Sequence, residues 1–364
     1  MKVAIVHYWL VDRRGGERVV EALCDLYPQA DLFTNVYDPE PFAGTLAGHT
    51  VRTTFVNSLP FARHMLEPYM ALMPMALEQL DLRAYDLVIS SESGPAKGVI
   101  VAPDALHVCY CHSPMRYAWD LYAQYLAEAG FLKRLAMRPL LHYLRLWDQA
   151  SAQRPDLIIA NSAHTRARVL KYWRRDAEVI PPPVDVERFE TTGTPAGDYY
   201  LCAGQLMGYK RVDIAVAAFS ELGLPLVVAG TGPQLGALRR KAGRNITFLG
   251  WTSDKELSRT IAGCRALVFP GEEDFGIVPV EAMAAGRPVI AFRRGGALDS
   301  VIDGVTGAFF DAQTSESLIQ AVRLFEGERG RYDSARIARH AREFDRPHFL
   351  ERFAGAVSRL RCTN

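Results

Sequence analysis

Apolar residues in the first half of the chain gather into short runs, and between the runs they return every three or four positions. KVAIVHY (2–8), DLFTNV (31–36), DLVISS (86–91), GVIVA (98–102), LHVCYCH (106–112) and DLIIANS (156–162) predict strands separated by helices. Several runs are apolar at successive rather than alternate positions, so both faces of the sheet must be covered. That predicts a parallel sheet wrapped by helices. A second series repeats the plan: YYLCAG (199–204), LPLVVAG (224–230), NITFLG (245–250), RALVFPG (265–271) and RPVIAF (287–292). Between the two lies VIPPPVDVERFETTGTPAGD (179–198), where Pro181, Pro182 and Pro183 exclude helix and the Thr/Gly/Pro run has no apolar period. The pattern predicts an α/β chain of two doubly wound, Rossmann-like parallel-sheet domains, 1–190 and 191–344, joined near 183–198, with a terminal helix over about 345–364 returning to the first. Two such sheets facing each other would bring the carboxyl ends of their strands to one cleft, where open α/β sheets bind ligands.

Composition narrows the function. The 364 residues are 49% hydrophobic and 23% charged, enough for two cores. A net charge of +1 lacks the basic field of a protein that lives on nucleic acid, so no nucleic-acid partner is expected. The six cysteines, Cys24, Cys109, Cys111, Cys202, Cys264 and Cys362, form no CxxC pair, and no signal-peptide pattern precedes MKVAIVHYW. Reduced thiols and a cytoplasmic location are therefore expected. No uninterrupted apolar stretch reaches about 18 residues, which argues against a bilayer span. Contact with a membrane surface stays open through two stretches. FLKRLAMRPLLHYLRLW (131–147) carries Lys133, Arg134, Arg138 and Arg145 without an acid, at roughly helical spacing interrupted by Pro139. LPFARHMLEPYMALMPMALEQL (59–80) is apolar and rich in methionine. Packing between domains is the alternative for each.

The candidate chemistry lies at strand exits. ALVFPGEEDFGIVPVEAMAAG (266–286) reads as a strand ending at Pro270, a polar loop, and a helix from about Ile277 to Gly286. Free amides in the first turn after Gly276, with the helix dipole, suit a phosphate or diphosphate. Glu281, one turn in, is badly placed for that phosphate and better placed to accept from neutral hydroxyls such as those of ribose. Glu273, before the helix, could accept from sugar hydroxyls or stabilise positive charge at an anomeric carbon. The plain alternative is two solvated acids at a helix start. Gly15 and Gly16 follow the first strand and would let backbone approach a ligand closely. His112 ends the strand LHVCYCH, and strand alternation places Cys109 and Cys111 on the face opposite His112, which argues against a metal cluster. GTGP (230–233), with Gly230, taken alone is a turn.

The E-x7-E spacing with its internal Phe275–Gly276 pair resembles the C-terminal signature of the retaining glycosyltransferases of family 4, which have the GT-B fold. Ordered matches extend the resemblance over nearly the whole chain: GGER (15–18), CHSPMRYAWD (111–120), IPPPVDVERF (180–189), GQLMGYKRVD (204–213) and GTGP (230–233). The resemblance implies that Glu273 lies by the donor sugar, that Glu281 holds the nucleotide ribose, and that Lys210 binds the donor diphosphate. It also implies that His112 contacts the donor sugar and that Phe275, Gly276 and Ile277 lie in the donor site. Gln205 stands where such enzymes carry an arginine, leaving Arg211 or another cation to compensate. The implied reaction is metal-independent, α-retaining hexosyl transfer with no cofactor beyond the nucleotide sugar. HSPMRYAWD and IPPPVD resemble bacterial mannosyltransferases of polysaccharide and O-antigen synthesis, which makes GDP-mannose the expected donor. A polyprenyl-diphosphate-linked or oligosaccharide acceptor, met peripherally at the inner face of the plasma membrane, is expected with it. Two other readings stay open: a hydrolysing nucleotide-sugar epimerase of GT-B fold, and a catalytically silent sugar-nucleotide or lectin-like binding module.

Overall fold

A computed structural model describes residues 1–189 and 196–363. The chain divides into two compact units, Met1–Pro183 with Phe349–Asn364, and Val184–His348. The 190/191 boundary expected from the sequence lies outside the described residues. The division falls earlier because Val184, Val186 and Phe189 are already buried in the core of the second unit. There the Val184 amide donates to the Phe344 carbonyl at 2.9 Å.

In the first unit, strands β1 (Val3–His7), β2 (Asp31–Thr34), β3 (Val51–Thr53), β4 (Leu87–Glu92), β5 (Leu106–Cys111), β6 (Leu157–Ala160) and β7 (Glu178–Val179) form a sheet in the order β3-β2-β1-β4-β5-β6-β7. Every pairing is parallel. All five residues of β1 and all six of β4 are buried, as a sheet covered on both faces requires. The run 98–102 is not a strand. The edge of β4 that it would need is taken by β5, and the chain instead leaves β4 through a 3₁₀ turn, Ala96–Gly98, so that Val99 packs beside Val88 and Ala96.

The second unit repeats the plan with β8 (Tyr200–Ala203), β9 (Leu226–Ala229), β10 (Ile246–Gly250), β11 (Leu267–Phe269), β12 (Val289–Phe292) and β13 (Gly307–Phe310) in the order β10-β9-β8-β11-β12-β13. Its pairings are parallel too. In each sheet the order reverses beside the first strand, between β1 and β4 and between β8 and β11, which is where doubly wound sheets open a crevice at their carboxyl ends.

Two long helices complete the first unit. Phe131–Ser151 runs unbroken through Pro139, so the expected interruption is absent. Pro139 has no amide for the carbonyl of Leu135, but both residues are exposed and water can take that carbonyl. The terminal helix Arg346–Thr363 sends Phe349 and Phe353 into the core of the first unit, where Phe349 meets Tyr110 edge-on at 5.6 Å between ring centroids.

A fully enclosed ion cluster sits at the end of β4. Lys97 Nζ lies 2.5 Å from Asp148 Oδ1 and 3.4 Å from Glu92 Oε1, with all three side chains 0% exposed. Asp148 Oδ2 also accepts from the indoles of Trp119 and Trp173, each at 2.7 Å. Burial alone would lower the Lys97 pKa, but Asp148 and Glu92 more than offset it and raise the ammonium above its ordinary range.

Candidate functional site

In the second unit two loops that leave adjacent strands meet. Lys210 ends the 3₁₀ turn Gly208–Lys210 after β8, and Glu273 lies in the loop after β11. Their side chains pair at 2.8 Å, Nζ to Oε1, at 16% and 19% exposure. The pairing needs close backbone approach, and Gly271 supplies it: a Cβ there would stand 2.9 Å from Lys210 Cα. Lys210 and Glu273 hold each other in place.

The same loop enters the helix Ile277–Ala284. Gly276 is its N-cap at φ 87°, a left-handed conformation that a side chain would strain. As a glycine it supplies no side-chain cap to the first turn, and a helix start of this kind suits an anion. Glu281 sits one turn in and is 4% exposed. Ile277 packs partly against the core of this unit.

Several of the residues expected at the ligand site also serve the fold. Phe275 is 2% exposed and packs on Phe344 at 5.8 Å between centroids, so its ring belongs to the core. Around Gly230 the close approach is by the chain itself: a Cβ would stand 1.9 Å from the Gly204 carbonyl oxygen, and the Gly230 amide donates to Gly250 at 2.7 Å. Arg211 is forked onto Asp213 with both contacts at 3.1 Å and donates to Gln313 at 3.2 Å. Its charge is thereby offset locally. Gln205 is exposed after β8.

In the first unit the helix Gly15–Leu26 begins at Gly15 itself, so Gly15 and Gly16 are its first residues rather than a loop before it. Gly16 leaves room for side chains from strand ends: a Cβ there would be 3.2 Å from Tyr8 Oη and 3.6 Å from both His112 Nε2 and His7 Cε1. Beneath it runs a chain of polar groups that the sequence motifs do not announce. His112 Nε2 is 2.8 Å from Ser91 Oγ, Ser91 Oγ is 2.9 Å from His7 Nδ1, and His7 Nε2 is 3.4 Å from Glu17 Oε1. Glu17 also accepts from the Arg14 amide at 3.0 Å. The available signal is positional, since His7 ends β1, Ser91 lies near the end of β4 and His112 follows β5, all at carboxyl ends of neighbouring strands.

Electrostatics fix the charges here. Burial would raise the Glu17 carboxyl, but the hydrogen bond from His7, together with those from nearby backbone amides, more than offsets it and holds Glu17 below its usual range. Burial pushes His112 down to about 3. His112 is therefore a neutral imidazole at ordinary pH. Cys109 and Cys111 are buried in the cluster with Trp173, and among the described residues no group of three or more His, Cys, Asp or Glu is arranged to hold a metal.

The two basic and apolar stretches touch through Lys133, which pairs with Glu67 at 2.7 Å. Around them Phe61 (73%), Phe131 (80%), Leu132 (79%) and Leu135 (60%) are exposed, whereas Met73, Ala76 and Leu77 of the 59–80 stretch are core. Among the described residues no helix is long and apolar enough to cross a membrane.

Comparison with known proteins defines the class. Across its length the chain has the fold of Anabaena HepE solved in complex with UDP, with a TM-score of 0.72, 18% identity and coverage of 98% and 100% of the two chains. It is equally similar in fold to sucrose-phosphate synthase of Thermosynechococcus elongatus, with a TM-score of 0.74 at 16% identity over 100% of both chains. Both comparisons establish a GT-B-type fold of two Rossmann-like domains. Residues 13–188 match Glycosyltransferase Family 4 and residues 186–344 match Glycosyl transferases group 1, so the chain is a family 4 domain followed by a group 1 domain. The D-inositol 3-phosphate glycosyltransferase of Mycobacterium tuberculosis is 29% identical over 227 residues, 54% of this chain and 47% of the relative. The chain thus spans about half the length of the curated relatives it matches.

Proposed function

We propose that this chain is a retaining, metal-independent glycosyltransferase that moves a hexose from a nucleotide diphosphate sugar to a hydroxyl of a lipid-linked or oligosaccharide acceptor. The observation that carries the reading is the 2.8 Å Lys210–Glu273 pair in the loop that enters the glycine-capped 277–284 helix, with Glu281 buried one turn further on. A diphosphate arriving there meets backbone amides and an ammonium already positioned by its carboxylate partner, so little reorganisation is needed as charge builds on the leaving group. Glu273, once Lys210 turns to phosphate, can accept from sugar hydroxyls. Glu281 accepts from the ribose hydroxyls. His112, neutral, suits a sugar hydroxyl better than a phosphate.

GDP-mannose is the donor that the HSPMRYAWD and IPPPVD resemblance favours. Because a neighbour in fold was solved with UDP-glucose, UDP-sugars are the competing donors. A panel of nucleotide sugars, read by release of free nucleotide in the presence of a lipid-linked or oligosaccharide acceptor, tests the reading. GDP released from GDP-mannose supports it; UDP released instead overturns the donor. Sugar product formed without any acceptor would point to an epimerase.

The acceptor is met at an anionic membrane surface, with the exposed Phe61, Phe131, Leu132 and Leu135 entering the headgroup layer beside Lys133, Arg134 and Arg138. Phe131→Glu with Leu132→Glu is expected to weaken sedimentation with vesicles containing phosphatidylglycerol by more than about tenfold, since each apolar side chain contributes roughly 1.5–3 kcal/mol when buried. Unchanged sedimentation would remove the membrane from the proposal.

A further inference from the structure

We propose that Glu17, His7 and Ser91 form an oriented hydrogen-bond chain that fixes His112 as its Nε2–H tautomer and leaves Nδ1 as a bare acceptor for a ligand hydroxyl. The direction follows from what each group can give. A carboxylate only accepts, so the proton between Glu17 and His7 belongs to His7 Nε2. With His7 taken as the neutral imidazole, its Nδ1 carries a lone pair, which takes the one proton that Ser91 owns across 2.9 Å. Having given that proton away, Ser91 Oγ can only accept at its other contact, so the 2.8 Å bond is donated by His112 Nε2. A neutral imidazole has no second proton, and Nδ1 is left with a lone pair.

The order reverses only if His7 gains a second proton. The first turn of the 15–26 helix lies directly over the chain, with Gly16 in contact distance of both imidazoles. Glu17 is doubly used, since the Arg14 amide of the same turn holds its other oxygen. Glu17, His7 and Ser91 are therefore positioning residues, acting through His112 and lying 2% or less exposed. A bare Nδ1 accepts from O–H or N–H and is repelled by phosphate or carboxylate oxygens. The group it takes is a neutral hydroxyl; naming that hydroxyl as the donor sugar's rests on the function proposed above, whereas the tautomer does not.

Two-bond proton–nitrogen correlation on the full chain, labelled with ¹⁵N at histidine, reads the tautomer, and the His112→Asn variant identifies the His112 signals. The expected spectrum has a pyridine-like Nδ1 and a pyrrole-like Nε2; a pyrrole-like Nδ1 overturns the proposal. In Ser91→Ala both nitrogens should move to averaged values and GDP-mannose affinity should fall about threefold to tenfold, with Ser91→Thr restoring both. An unchanged His112 spectrum in a folded Ser91→Ala chain also overturns it. Should that variant fail to fold, the parent spectrum decides alone. A chain that binds no nucleotide sugar sinks the proposed function without touching the tautomer, which the spectrum settles separately.

Discussion

Lys97 and Lys210 both meet carboxylates at the exits of parallel strands, yet they are built in opposite ways. Lys97 is sealed between two acids and lies over the rings of Trp173 and Trp147, at 4.6 and 5.1 Å from their centroids. Lys210 pairs with Glu273 and keeps 16% of its side chain in contact with solvent. The first arrangement ties the 131–151 helix, through Asp148, to the end of β4, through Glu92. Nothing can enter it without first unmaking it. In the second, an incoming anion competes with a carboxylate that is itself partly solvated, so exchange costs little. Degree of enclosure, rather than the presence of a salt bridge, separates a fastening lysine from one available to a ligand.

That contrast can be broken experimentally. Lys97→Met leaves two enclosed acids without their cation and should destabilise the chain by about 3–5 kcal/mol, measured by urea unfolding. A loss under about 1 kcal/mol would mean that the trio does not act as a unit. Lys210→Met should lower turnover with the nucleotide sugar about 10²- to 10³-fold while shifting stability by less than about 1 kcal/mol. An equally large loss of stability would erase the distinction. The enclosed trio should also show in the pH dependence of folding. Burial lifts Glu92 to about 7, with Asp148 adding and Lys97 opposing, against an ordinary value of 4.5. Between those values the folded chain keeps a proton that the unfolded chain has released, so the contribution is complete below about 4.5 and is lost as pH rises through about 7. Glu92→Gln should remove that slope, on the order of 2–3 kcal/mol between the two ends. Parallel curves for parent and variant would refute it.

The long apolar runs are legible because they carry the sheet interior: VAIVH, LVISSE and LHVCYC form β1, β4 and β5 within a residue or two of their expected limits. The short strands β3, β7 and β13 are not. VRT and EV are too brief for any period, and GAFF follows a turn-rich stretch. The run 98–102 misleads for the opposite reason: its apolar character serves a loop packed under the sheet. At the site, Lys210 and Glu273 can be named singly from their motifs, but their pairing depends on Gly271 closing two loops 63 residues apart, which no local pattern records. His7, Glu17 and Ser91 escape because a hydrogen-bond chain drawn from three elements has no spacing of its own. The burial of Phe275 is not legible because an aromatic ring beside a ligand loop reads the same whether it points outward or into the core.

The terminal helix has a consequence for synthesis. Residues 184–348 form one continuous stretch, so the second unit has all its own parts as soon as that stretch has emerged from the ribosome. The first unit, although translated earlier, must wait for Phe349 and Phe353 before its core can close around Tyr110. Nascent chains should therefore mature out of order, the later-made half settling before the earlier one, and a stop codon placed just after His348 would leave the amino-terminal half with an open seam.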